Sequence, residues 1–228
     1  MIPVAKVARP SGYANIKAGG DNWLRANPKA KRPKDLWSPF LPELAEGFAH
    51  LCGYAAMLDP TGGTVDHYLS WKNRPDLAYE WSNFRFVSHI LNSSKKTADA
   101  TVLDPYLVKS GWFEVILPSL QMRVTSKVPA AFKAIAEFTL KRLKLGDGEK
   151  VIRWRRHYYA RYEAGQLALD GLRVFAPLVA EAAERASKVS KAKLTKQNLT
   201  KMKGPKAKPQ RPIDPTSSKA KGSKRATK

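Results

Sequence analysis

Apolar residues follow two rhythms along this chain. Leu41, Leu44, Phe48 and Leu51 recur at helical spacing within residues 37–54, and Ser38 or Pro39 can begin the first turn. The DPTGG run at 59–63 predicts a turn. Residues 64–69 (TVDHYL) alternate and are β-branched or aromatic, which predicts a short strand. Residues 71–77, with Asn73 and Pro75, read as a loop. Phe84, Val87 and Leu91 share a helical face, so residues 83–96 are expected to form one helix. WFEVIL at 112–117 predicts a further strand. Beyond Pro129 the helical period dominates. Phe132, Ile135, Phe138 and Leu143 suit one helix, and Gly146-Asp147-Gly148 ends it. Val151, Trp154, Tyr158 and Tyr162 suit a second, and residues 167–186 a third, kinked at Pro177.

The pattern predicts an α+β chain in four segments. Residues 1–35 are basic and broken by Pro10, Gly12, Gly19, Gly20, Pro28 and Pro33, which reads as an irregular arm. Residues 36–120 are mixed α and β, and residues 121–186 are helical. Residues 187–228 hold no aromatic residue and are rich in Lys, Pro, Ser and Ala. Such a composition buries too little apolar surface to offset the entropy of ordering, so a disordered tail is expected.

Charge changes this picture more than composition does. Among 228 residues, 43% hydrophobic, 41 Lys and Arg stand against 19 Asp and Glu, a formal +22. Residues 187–228 hold 14 Lys and Arg and one acid, Asp214, so +13 lies there and +9 on the rest. That excess points to a polyanionic partner and says nothing of topology. The tail reads as a non-specific phosphate-binding arm or as a solubilising one. The single cysteine, Cys52, excludes an internal disulfide framework and an unaided multi-thiolate zinc site. No apolar run approaches the ~20 residues of a membrane-spanning helix. The first seventeen residues (MIPVAKVARPSGYANIK) hold no continuous apolar stretch of the secretory kind, so a cytoplasmic location and no membrane partner are expected.

The chemistry-bearing residues gather in 64–96. Asp66 and His67 are adjacent at the end of a predicted strand, Asn83 follows sixteen positions later, and Asn92 lies nine beyond, followed by Ser93, Ser94, Lys95 and Lys96. Successive strand side chains point to opposite faces, so Asp66 and His67 should diverge. A neutral histidine can take a proton from water near pH 7. A carboxylate and an amide oxygen suit a hard divalent cation.

Asp66-His67-Tyr68, then Tyr79-Glu80-Trp81-Ser82-Asn83, then Asn92-Ser93-Ser94-Lys95 resembles the HNH endonucleases, the ββα-metal nucleases, in a bacterial branch. The resemblance covers residues 50–96 and extends through 102–120. It implies a metal-dependent endonuclease acting on DNA, with RNA as an alternative nucleic acid. It implies His67 as general base and Asn83 as the residue that holds the loop and orients His67. Asp66 and Asn92 would be ligands of one Mg²⁺ or Mn²⁺, and Lys95 or Lys96 would contact phosphate. His89, three residues before Asn92, is a less favoured substitute ligand. Many members of the branch bind a structural zinc through two Cys-x-x-Cys pairs. Here those positions hold Cys52, Ala55, Ser88 and Leu91, so no structural zinc is expected, and packing of Leu51, Tyr54, Val87 and Leu91 should replace it.

Other features have plainer readings. Trp81 and Trp112 suit the core, Asp104 suits a turn or an extra site position, and Asn83 also suits a helix N-cap. His50 and His157 read as surface or packing residues. Arg153, Arg155, Arg156 and Arg161 in IRWRRHYYARY (152–162) suit nucleic-acid contact, and a helix turning Trp154, Tyr158 and Tyr162 inward explains the run equally well. By the same resemblance the helical segment equally suits docking to a protein partner such as an ATPase subunit, and phage defence, a mobile element and phage packaging stay open as settings. Two rival readings remain: a decayed HNH domain kept as a nucleic-acid-binding module, and a basic RNA- or ribosome-associated protein that binds through its tail.

Overall fold

The computed structural model describes residues 1–202, with side chains through Lys193 and that of Thr195. Residues Met1–Lys188 form one compact unit, so the three segments distinguished over 1–186 pack together. A second unit begins at Val189. The fold is α+β, with two separate two-stranded antiparallel sheets among helices. Among the described residues no helix is long and apolar enough to cross a membrane.

The first departure from expectation is the N-terminal arm, which is folded. Helix α1 spans Tyr13–Ala26. Tyr13 is fully buried, with ring centroids 5.1 Å from Phe40 and 5.0 Å from Trp81. Gly20, read as a breaker, instead admits a neighbour: a Cβ there would lie 2.3 Å from the Tyr79 ring. The Trp81 indole N–H donates to the Val7 carbonyl at 3.1 Å. The arm's few large apolar residues share one helical face, and burying that face outweighs the helix-weakening glycines.

Helix α2 (Leu41–Gly47) buries Leu44 and Ala45. Strand β1 (Thr64–His67) pairs antiparallel with β2 (Phe84–Val87), with Asp66 opposite Arg85 and His67 opposite Phe84. The helix expected over 83–96 is therefore a strand followed by a shorter helix, α3 (His89–Lys95). FRFV reads equally well with period two: Phe84 and Phe86 join the aromatic cluster on one face while Arg85 turns to the other. Ser88 separates the elements, its side chain accepting from the Leu91 N–H as an N-cap.

Strands β3 (Phe113–Ile116) and β4 (Gln121–Val124) make the second sheet. β3 was expected and β4 was not, because QMRV buries little except Met122. Helices α4 (Ala130–Arg142), α5 (Glu149–Glu163) and α6 (Leu169–Phe175) cover the larger apolar cluster. Pro177 does not kink a helix; it begins a new one, α7 (Pro177–Met202), where its missing N–H costs nothing. α7 continues across residues 187–202, the start of the expected disordered tail. That stretch has no Gly or Pro and is rich in Lys, a good helix former, with two Leu beside it. The rest of the tail lies outside the described residues.

Candidate active site

The β1–β2 pair lies between the two apolar clusters, and its alternation separates the adjacent Asp66 and His67 as expected. Val65, His67, Phe84 and Phe86 face the aromatic side, and Asp66 and Arg85 face the other. At the edge of the pair is a hollow of about 270 Å³. Asp66, His67, Asn92 and Lys96 line it together with Arg32 and Trp37.

His67 is held on three sides. Its ring meets Trp37 edge-on at 4.7 Å and Phe84 at 5.0 Å. Its Nε2 lies 2.8 Å from the Ala78 carbonyl. A carbonyl only accepts, so Nε2 carries the proton and Nδ1 is the basic atom. Burial lowers the His67 pKa to about 4, and the Lys95 and Arg32 charges push the same way. The ring is therefore neutral at pH 7.

This has a testable consequence for stability. The unfolded chain takes up a proton on His67 below the ordinary value of 6.5, and the folded chain only near 4. The unfolded state thus binds more protons across that window, and stability falls as pH drops from 6.5 to 4. We expect urea unfolding to show the wild type losing on the order of 3 kcal/mol more than His67→Gln between pH 7 and 4. Parallel losses in the two proteins would refute the buried neutral state.

Asn83 holds the loop after β1 as expected. Its Oδ1 accepts from Leu69 N at 2.8 Å, and its Nδ2 donates to the Leu69 carbonyl at 2.9 Å and to the Leu77 carbonyl at 3.1 Å. Leu77 precedes Ala78, whose carbonyl fixes His67, so Asn83 positions the histidine without touching it. Asn83→Ala takes the side-chain partner from the Leu69 N–H and carbonyl, leaves the Leu77 carbonyl with the Glu80 N–H alone, and should cost about 2–4 kcal/mol in chemical denaturation. A loss below about 1 kcal/mol would show the loop is held by other means.

Asp66 is 2% exposed. Its Oδ2 accepts from the Tyr54 hydroxyl at 3.4 Å, and its Oδ1 lies 3.1 Å from Lys95 Nζ. Burial pushes the carboxyl above the usual range, while the Lys95 charge draws it down. Here the expected phosphate role of Lys95 is corrected. Its side chain is fully buried, and its ammonium also donates to the carbonyls of His67 at 2.8 Å and Tyr68 at 3.0 Å. Lys95 lies two turns along α3 from Ser88 and so faces the sheet, whereas Lys96, past the helix end, is exposed and lines the hollow.

Asn92 donates from Nδ2 to the Val65 carbonyl at 3.2 Å, which turns Oδ1 into its ligand-capable atom. His89 is exposed and lines a different hollow with Ser93, Ser94 and Lys144, so it is no substitute for Asn92. Asp104 is not at the hollow either. It takes the Arg85 guanidinium in a two-pronged pair at 2.7 and 2.6 Å, buried beneath Tyr106.

On α5, Arg155 is fully buried and donates to the carbonyls of Leu120 at 2.9 Å and Leu145 at 2.8 Å. It fastens the end of the β3–β4 turn to the α4–α5 loop and does not contact nucleic acid. Arg153 and Arg156 are exposed but do not line the hollow, and Arg153 pairs with Glu149. The aromatic side of this helix turns inward: Trp154 Nε1 and the Tyr158 hydroxyl both donate to the Leu58 carbonyl.

The four positions matching zinc ligands in the resembled branch sit in one buried region. Cys52, Ala55, Val87, Leu91 and Tyr54 belong to a single cluster, and the Ser88 N–H donates to Cys52 Sγ at 3.3 Å. Ala55 and Leu91 have no ligating atom.

Among the described residues no three His, Cys, Asp or Glu side chains gather around a common point. The oxygen donors at the hollow include Asp66 and Asn92, the pair marked by the sequence, and the Asp35 carboxylate also lines it. That fits a cation such as Mg²⁺, which keeps several waters and takes few protein oxygens. Arg32 and Trp37 were missed by sequence reasoning. Their only signal was the KRPK run at 31–34 beside an aromatic residue, thirty positions ahead of the motif. No protein-family model matches the chain, and no curated protein matches it.

Proposed function

We propose that the protein is a metal-dependent endonuclease of HNH type that hydrolyses phosphodiester bonds in DNA, built on the β1–β2–α3 segment. The observation that carries this reading is that Asp66, a neutral His67 and Asn92 all line one hollow, together with the exposed Lys96 and Arg32. In this reading His67 Nδ1 takes the proton of a water whose oxygen attacks phosphorus, and the 3′-oxygen leaves. The ring stays in the competent tautomer because Nε2–H is held by Ala78. Asp66 and Asn92 Oδ1 would hold the cation, which when bound neutralises charge on the phosphoryl and leaving oxygens. Lys96 and Arg32 supply further positive charge to the phosphate.

One observation favours a second reading. The Lys95 ammonium already sits against Asp66, as it would in a domain that binds nucleic acid without cutting it. Incubating plasmid with the purified full chain and Mg²⁺ or Mn²⁺ separates the two. Nicked or linear product that disappears with chelator supports the nuclease. Binding without cleavage under either cation overturns it and leaves the binding module.

A further inference from the structure

The segment between α1 and α2 walls two hollows, not one. Arg32 and Trp37 line the hollow with His67, and Lys31 and Pro33 line a neighbouring one of about 550 Å³ with Asn27 and Pro28. Trp71 belongs to both. It is half-buried against the aromatic cluster, and Lys72 Nζ stands 5.7 Å from its ring centroid. A path from the His67 hollow across Trp71 therefore passes Lys96 and Arg32 at one end and Lys31 and Lys72 at the other, all exposed. The acids on this path are both in the first hollow: Asp66, paired with Lys95, and Asp35, which accepts from the Ser38 backbone N–H and hydroxyl.

From this juxtaposition we infer that the two hollows form a continuous track for single-stranded DNA, with Trp71 as the platform on which an unpaired base stacks next to the scissile phosphate. Cations spaced on either side of an aromatic plate suit a strand whose bases are free: the backbone meets the charges and a base meets the ring. A paired base inside a duplex offers no face to such a plate. The inference rests on the endonuclease reading for the position of the scissile phosphate. The track itself needs only binding.

Binding and cleavage are therefore read separately, on the full chain. A fluorescent single-stranded oligonucleotide and its blunt duplex are titrated against His67→Ala, His67→Ala/Trp71→Ala and His67→Ala/Trp71→Phe. Trp71→Ala should weaken single-strand binding about 10-fold or more, Trp71→Phe should restore most of it, and duplex affinity should change less than about 2-fold. Lys31→Gln with Lys72→Gln should lower the salt slope of single-strand binding by about 1.4, the amount for two phosphates. Because Trp71 also packs inward, thermal unfolding of each variant shows that a loss is not one of folding, and the lysine pair tests the track without touching the core. Unchanged single-strand affinity in both variants, with wild-type cleavage intact, overturns the track and spares the nuclease. Trp71-dependent binding in a protein that cuts under neither cation sustains the track and overturns the nuclease.

Discussion

His67→Ala should cut plasmid about 10²–10⁴-fold more slowly than the wild type in Mg²⁺ while binding DNA with nearly the same Kd. The magnitude is that of a positioned general base. The separation of rate from affinity follows from geometry. His67 meets Trp37, Phe84 and a carbonyl, and its ring is uncharged, so removing it takes no positive charge from the surface that meets phosphate. The smaller side chain leaves a gap beside the two rings, and added imidazole should partly restore the rate if the lost function is proton abstraction. Undiminished cation-dependent cleavage by the purified variant would remove His67 from the mechanism. A rate lost together with most of the affinity would point to a misfolded site.

The second large effect is on stability. Lys95→Ala should destabilise the protein by about 3–5 kcal/mol in urea unfolding, because it strands a buried carboxylate, a buried carbonyl and a half-buried one. The ammonium is the point where β1, the chain leaving it, and α3 are tied together. Removing both charges with Asp66→Asn and Lys95→Met should recover part of that loss, since an uncompensated buried charge is worse than none. A single-variant loss below about 1 kcal/mol would show that water or another cation reaches Asp66 readily. That result would also weaken the non-cutting reading, which needs Lys95 to hold Asp66 firmly.

The order Asp66-His67, Asn83, Asn92 was legible because each residue acts through a local rule: strand alternation, a loop amide, a helix face. Asp66, His67 and Asn92 come to line one hollow because β1 pairs with β2 and α3 folds back, while Asn83 stays behind it on the loop. The pairing itself was misread at 84–87. FRFV satisfies period two and period 3.6 alike, and only the partner strand decides between them. Lys95 and Arg155 were misassigned for one shared reason. A cation in a basic run looks like a phosphate contact, and nothing in one dimension shows that carbonyls of distant segments await it. The arm was misjudged on its prolines and glycines, which mark turns reliably but do not forbid a helix between them. Gly20 is the instance: it serves as an absence of bulk against Tyr79.

That contact bears on how far the site can be separated from its surroundings. Tyr79 directly follows Ala78, the residue whose carbonyl fixes the His67 tautomer, and its hydroxyl donates to the Lys34 carbonyl at 2.7 Å. The Tyr13 hydroxyl in turn donates to the Tyr79 carbonyl at 3.3 Å. The backbone stretch that sets the proton on the histidine is thus gripped by α1 and the segment after it. Residues 50–96 hold every side chain the sequence marks, yet they are not a transplantable cassette. Cut free of the first 37 residues, they would lose the Trp37 face of the imidazole and both fastenings of Tyr79, and His67 would be free to exchange which nitrogen bears the proton.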